Sequence, residues 1–401
     1  MRIGMILDKE FPPDPRVENE AKTLLSAGFD VRLFCLNFTN QPNYEEKNKL
    51  IIYRFPISKY FYDKFSPLAY TLPLYSMKVS SGIKNFIGNN AIDVIHIHDM
   101  VIAETVIRIN EKLKLPVVLD LHENRPAIMK TYTHVNSGIG RWLISPDKWE
   151  LKQREFVEKA TRVIVVTQEA KEYLSNEYNV AGEKIVVVPN TVNLNIFLNY
   201  SINSEIIDKY KNDFVILYLG STGLRRGLDT AIKSVKLLKD KIPNLKLVIV
   251  GKSRDDKVLS NLTKVLKVKD KVVFEGWQDE SLFPSYIRTS QICISPLTRN
   301  RHHDTTYANK LFQYMSLGKP VVVSDCIAQK NIVEENQCGL VHEANNPYDL
   351  AEKILQLYID EEIRRKMGQN GSKAITNKYQ WDLTSKELVK LYKEISMRDQ
   401  V

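Results

Sequence analysis

Five short apolar runs in the second half of the chain, FVILYL, LKLVIVG, KVVFEG, ICISP and PVVVS, are rich in β-branched residues and separated by helical segments. A continuous β-branched run suits a strand covered on both faces. Strands that alternate with helices are joined by crossovers, and crossovers build a parallel sheet. The first half repeats the pattern. RIGMIL at residues 2 to 7 leads through a Pro-rich loop into a helix from about Arg16 to Ala27, with Gly28 as its stop and a further strand beyond. RVIVV and IVVV follow between residues 162 and 188, around another helix. Turn-rich Val188-Pro189-Asn190-Thr191-Val192-Asn193 separates the halves. The expectation is an α/β chain with two Rossmann-like parallel-sheet domains, which 401 residues accommodate at roughly 100–200 residues each.

Composition narrows the function. At 43% apolar residues the chain is globular, and no apolar run approaches the roughly 18–20 residues of a membrane span. Cys35, Cys293, Cys326 and Cys338 are dispersed without a CxxC pair, which reads as reduced thiols in a cytosolic protein. Met1-Arg2-Ile3 runs straight into a strand pattern rather than a signal-peptide core, in keeping with a cytoplasmic location. Lys and Arg number 57 against 48 Asp and Glu, a net charge of +9 that suits an anionic substrate or surface. No nucleic-acid motif accompanies the charge, so no nucleic-acid partner is expected. The loop after the first strand has neither GxGxxG nor GxxxxGKS, which weakens dinucleotide and Walker-type readings. From Lys59 to Phe86 aromatics interleave with lysines. Such a segment suits peripheral contact with an anionic membrane, at its inner face, or a pair of helices packed on the sheet.

The candidate chemistry lies where strands end. Thr305 to Asp325, TTYANKLFQYMSLGKPVVVSD, reads as loop, short helix, turn and buried strand. Asn309 and Gln313 share a helix face, with Lys310 three residues from Gln313. A helix start beside a strand's carboxyl edge, with such side chains, suits phosphate and hydroxyl groups; an ordinary amphipathic helix is the plainer alternative. Gly220, Gly223 and Gly227 allow close backbone approach, and Arg225-Arg226 enter the next helix, where cations are disfavoured unless an anion is near. In the first half, DVIHIHD ends in His96, His98 and Asp99, and the next strand ends in Asp120, His122 and Glu123. His96 and His98 share a strand face, but spacing supplies no third metal ligand.

These segments resemble the family 4 glycosyltransferases. FQYMSLGKPVVVSD lines up with the family's "EAM…G.PVV" run, placing Gln313 at the second Glu of its E-x7-E motif and Thr305 at the first, with Asp304 beside it. FPPDPRVENEA…GFDV resembles the family's opening, VPNTVN its "PNGVD…F" linker, DLHE its "DxHE", and YQWDLTSKELVKLYKEI its terminal helices. The resemblance implies a GT-B fold, two Rossmann-like domains facing a central cleft: residues 1–190 on the acceptor side, 191–375 binding the nucleotide sugar, and a 376–401 helix crossing back. It implies retaining hexosyl transfer from a nucleoside diphosphate sugar to a saccharide or lipid-linked acceptor, in surface polysaccharide or glycoconjugate assembly. His122 would lie near the transferred sugar. Arg226 would stand in for the family's Lys and stabilise the departing diphosphate, with Arg225 restoring the charge lost where Ser221 replaces an Arg. Gly220, Trp277, Asp304, Thr305, Asn309, Lys310 and Gln313 would complete the donor site, and Arg16, His98 and Glu123 the acceptor side. No cofactor or metal is expected, the nucleotide sugar being a co-substrate. A sugar-nucleotide epimerase or hydrolase on the same fold, or a non-catalytic nucleotide-sugar-binding partner, are the rival readings.

Overall fold

The computed structural model describes residues 1–131, 135 and 144–398. They form two units, Met1–Pro189 with Ser385–Val401, and Asn190–Thr384. The segment expected at 376–401 is described as far as 398, its last three residues lying outside the described range.

The first unit holds strands β1 (Arg2–Glu10), β2 (Asp30–Asn37), β3 (Tyr44–Lys47), β4 (Leu50–Pro56), β5 (Val94–His98), β6 (Val117–Leu121), β7 (Arg162–Val165) and β8 (Ile185–Val187). They lie in the order β3-β4-β2-β1-β5-β6-β7-β8. All pairs are parallel except the edge pair β3–β4. β1 runs three residues past the RIGMIL pattern, and this carries Asp8 and Lys9 to the carboxyl edge. The Lys59–Phe65 and Leu74–Asn89 helices occupy the aromatic-basic segment. The longer one buries Tyr75, Val79, Ile83 and Phe86 in the core. The Lys386–Arg398 helix belongs to this unit, burying Leu388, Leu391 and Tyr392.

The second unit holds β9 (Phe214–Leu219), β10 (Leu245–Val250), β11 (Val272–Gly276), β12 (Ile292–Ser295), β13 (Val321–Ser324) and β14 (Gly339–His342). Their order is β11-β10-β9-β12-β13-β14, all parallel. The expected α/β class with two parallel sheets is present.

In both sheets the chain builds outward in one direction and then returns to the other side of its first strand. Adjacent loops there diverge to opposite faces and leave a crevice at the carboxyl ends. In the first unit the reversal falls between β1 and β5; in the second it falls between β9 and β12. Those two edges position every group described next.

Candidate functional site

At the β9–β12 reversal, Gly220 leaves the strand at φ +108° and Gly227 closes the following turn at φ +71°. Both angles favour glycine. Gly227 is further constrained: a Cβ there would lie 1.7 Å from the Pro296 carbonyl oxygen, just past β12. The turn between them carries Arg225 and Arg226. The Arg225 carbonyl accepts from the Thr298 backbone N–H (3.2 Å) and hydroxyl (2.9 Å), which ties the loop after β12 to it. His303 donates from Nδ1 to the Thr298 carbonyl at 2.6 Å, leaving Nε2 3.5 Å from an Arg225 Nη. Burial, together with Arg226 and Arg225, pushes the His303 imidazole down to about 4, so it stays neutral beside the arginines.

Lys310, in the first turn of the Asn309–Ser316 helix, reaches under this loop. Its Nζ lies 3.5 Å from the Tyr218 ring centroid and beneath Gly220, withdrawn from solvent and without a hydrogen-bond partner. Burial, and then Arg226, hold its ammonium well below the usual lysine range. Arg226 likewise makes no ion pair among the described residues. Two basic side chains thus share a glycine-lined edge, and neither is paired with a carboxylate among the described residues. An isolated buried charge is costly, and the arrangement is complementary to a phosphate group.

The structure separates the remaining donor-side candidates. Ser221 and Asn309 are exposed at the edge, and Trp277 is 71% exposed in the turn after β11. Gln313 faces that turn, where its Nε2 donates to Glu280 Oε1 at 2.9 Å. Asp304 and Thr305 point elsewhere. The Asp304 carboxylate accepts the Ile327 N–H at 3.0 Å, capping the Ile327–Asn336 helix, and lies 3.5 Å from Arg299. The Thr305 hydroxyl donates to the Arg301 carbonyl at 2.8 Å and is 8% exposed. Neither fits the donor-site role that the resemblance implied: each is already used in local backbone satisfaction.

The edge of the first unit carries a buried charge network centred on Asp120. Arg16 forks onto both Asp120 oxygens (2.8 and 3.0 Å), reaches Glu20 at 3.0 Å, and donates to the Val188 carbonyl at 3.0 Å. At 3% exposure it is a structural ion pair, withdrawn from the acceptor-side role that the resemblance implied. His98 is fully buried, stacked on His96 at 4.3 Å between centroids, and pushed down to about 3 by burial and by His96. It lies 3.2 Å from His122 and acts behind that residue, not at the surface. Glu123 pairs with Arg125 at 2.9 Å at the rim.

His122 is the member that reaches solvent, with its side chain 14% exposed. Its Nε2 lies 2.9 Å from Asp120 and its Nδ1 3.4 Å from Asp99. Burial would lower its pKa, but the Asp99 and Asp120 carboxylates outweigh that and raise it to about 9. His122 is therefore an imidazolium at neutral pH, a charged donor and not a base. Asp99 holds the left-handed φ of +61° and also accepts the His122 N–H at 3.1 Å. Glu20, His96, His98 and Asp120 present donor atoms within 4.8 Å of one another, a spacing a metal could use. Arg16 and His122 already occupy both Asp120 oxygens, so side chains supply the positive charge there. Sequence reasoning missed Asp8, Lys9 and Glu20 here, and Glu280 and the neutral role of His303 in the second unit. The i,i+4 spacing of Arg16 and Glu20 was the one available signal.

Comparison with known proteins matches this geometry to a family. The model for "Glycosyltransferase Family 4" matches residues 16–196, and that for "Glycosyl transferases group 1" matches residues 200–374. An uncharacterized glycosyltransferase from Methanocaldococcus jannaschii is 24% identical over 410 residues, covering 98% of each chain. Sucrose-phosphate synthase from Thermosynechococcus elongatus superposes with a TM-score of 0.79 at 17% identity, covering 99% of this chain and 100% of that one. Anabaena HepE, solved in complex with UDP-glucose, gives 0.72 at 14%, covering 98% and 100%. Two domain models that meet at the linker and take in nearly all of both sheets leave one assignment: the chain belongs to the family 4 glycosyltransferases and has the GT-B fold.

Proposed function

We propose that this glycosyltransferase moves a hexosyl group from a nucleoside diphosphate sugar to a saccharide or lipid-linked acceptor, with retention of configuration and without a metal. One observation carries the reading: Arg226 and Lys310 flank the Gly220–Gly227 loop, and neither is paired with a carboxylate among the described residues. A departing diphosphate needs positive charge held in place before the reaction, and such preorganised groups stabilise the transition state more than the ground state. Anabaena HepE, similar in fold, was solved with UDP-glucose, which supports a nucleotide-sugar donor. In the retaining step the acceptor oxygen bonds to the anomeric carbon on the face the diphosphate leaves. The anomeric carbon–phosphate oxygen bond breaks, and the acceptor's proton passes to the departing phosphate oxygen. His122, as imidazolium, would donate to the sugar or acceptor. An acceptor in surface polysaccharide or glycoconjugate assembly fits the exposed Tyr60, Leu72, Leu74 and Met77 beside Lys59, Lys64 and Lys78, a surface suited to an anionic membrane.

The test is transfer from a panel of nucleotide sugars, after exhaustive chelation, with the product anomer read by NMR. Arg226→Ala should lower kcat on the order of 10²–10³. Near-normal turnover by that variant, or activity that returns only with a divalent ion, would overturn the assignment. Sugar nucleotide consumed without an acceptor would favour the epimerase or hydrolase.

A further inference from the structure

Alternate residues of β9 face opposite sides of the second sheet. Val215, Leu217 and Leu219 pack with Leu311, Phe312 and Met315 of the Asn309–Ser316 helix, whereas Phe214, Ile216 and Tyr218 pack on the other side with the Leu228–Leu238 helix. Lys310 sets out from the first of these helices, yet its amino group crosses the carboxyl edge of β9 to lie 3.5 Å from the centroid of the Tyr218 ring. The whole length of the lysine stem is used to bring a nitrogen to that aromatic face.

Tyr218 is fully buried, and core packing alone would be met by an apolar side chain. Its hydroxyl donates to the Ser221 carbonyl at 2.6 Å, three residues further along. That bond fixes the rotation of the ring and presents one face to Lys310. The face of an aromatic ring is the negative part of its quadrupole and attracts an amino group, most strongly when it is protonated. The amine has little else: Nζ has no hydrogen-bond partner among the described residues, and the neighbouring charge, Arg226, repels it. On the loop side it is bounded by Gly220, where an added Cβ would lie 3.6 Å from Nζ and cover it. One side chain thus holds both the amine, by its ring, and the loop, by its hydroxyl, and keeps the two in register.

Building on the proposed donor site, we propose that Tyr218 is a positioning residue for it, its ring holding the Lys310 amino group beneath the Gly220–Gly227 loop where the diphosphate binds. Tyr218 does not touch the nucleotide; it acts through Lys310. The ring serves the amine before a nucleotide arrives, and a phosphate, which takes it by stronger charge-assisted hydrogen bonds, serves it afterwards.

A double-mutant cycle on nucleotide affinity tests this, read by calorimetry with UDP, and with GDP where UDP does not bind. Tyr218→Leu should weaken binding about tenfold, close to the loss in Lys310→Met, and should cost less than about twofold when added to Lys310→Met. A tyrosine that only fills the core would cost the same factor in both backgrounds, so equal factors overturn the inference. A Tyr218→Leu chain that binds as tightly as wild type overturns it as well. Tyr218→Phe covers the case of a Leu variant that fails to fold. It keeps the ring and the core volume, so Lys310→Met should still cost about tenfold in that background, and a cost below about threefold overturns the inference. If Lys310→Met weakens binding and Tyr218→Leu does not, the donor-site reading stands without Tyr218. If neither nucleotide binds the wild-type chain, both fall together.

Discussion

Lys310 and His122 are both buried basic groups, but their surroundings give them opposite consequences. Lys310 has no hydrogen-bond or ion-pair partner among the described residues, so its burial costs stability, a cost that the anion of the proposed donor would offset. Lys310→Met keeps the length and removes the charge; the variant should melt at or above the wild-type temperature yet bind nucleoside diphosphate at least about tenfold more weakly. Equal affinity would remove Lys310 from the anion site. His122 is stabilised by its neighbours, so its folded pKa of about 9 exceeds the ordinary 6.5. The stability it contributes is complete below pH 6.5 and is lost as pH rises toward 9, on the order of 3 kcal/mol. Glu20, raised by burial to about 8, acts in the same direction from pH 4.5 upward. Hydrogen exchange of the β5 segment should therefore quicken between pH 6.5 and 9, and His122→Asn should flatten that rise. A slope unchanged in the variant would assign the effect to Glu20.

Elements differ in how much of them the sequence discloses. The β9 edge was legible because Gly220, Gly223, Arg225, Arg226 and Gly227 fall within eight consecutive residues, and a turn that needs glycine states its own geometry. The Asp120 network was legible only in part: the strand ends gave His96, His98, Asp120 and His122, but nothing in the spacing joins Arg16, Glu20 or Tyr392 to them. β3 and β4 were also missed: YEEK is a charged edge strand with no apolar alternation to find. Asp304 illustrates a different limit, since whether an acid faces a ligand or caps the next helix is decided by that helix's position. The Gly227 turn offers a test at this scale. Gly227→Ala meets both a positive φ and a carbonyl oxygen 1.7 Å from its Cβ, so the loop must move. Gly276→Ala shares a φ of +69° but meets nothing within 4 Å. The second should cost on the order of 1–2 kcal/mol from conformation alone. The first should cost more and abolish nucleotide binding, as measured by denaturant unfolding and calorimetry. Equal costs would show that the close approach to Pro296 is not a constraint.

Across the whole molecule the net charge of +9 is spread over both units, so attraction to an anionic surface does not by itself identify a contact face. The Lys59–Lys84 segment can be separated from that background. Replacing Lys59, Lys64 and Lys78 by Gln should reduce flotation with anionic vesicles far more than the same number of replacements at Lys264, Lys267 and Lys269, and added salt should weaken the wild-type association. Equal losses would leave only diffuse charge. The connectivity has a further consequence for biosynthesis. The first unit is discontinuous: it pauses at Pro189 and is completed by Ser385–Arg398, whose Tyr392 hydroxyl meets His96 at 2.7 Å in the middle of the buried network. A ribosome delivers that helix only after the whole second unit. The second unit, uninterrupted from Asn190 to Thr384, can close during synthesis, while the first must wait, with the Tyr392 contact to His96 unmade, until that helix emerges. A message broken just before residue 385 would therefore yield a chain whose second unit is whole but whose first, which carries His122, cannot be finished.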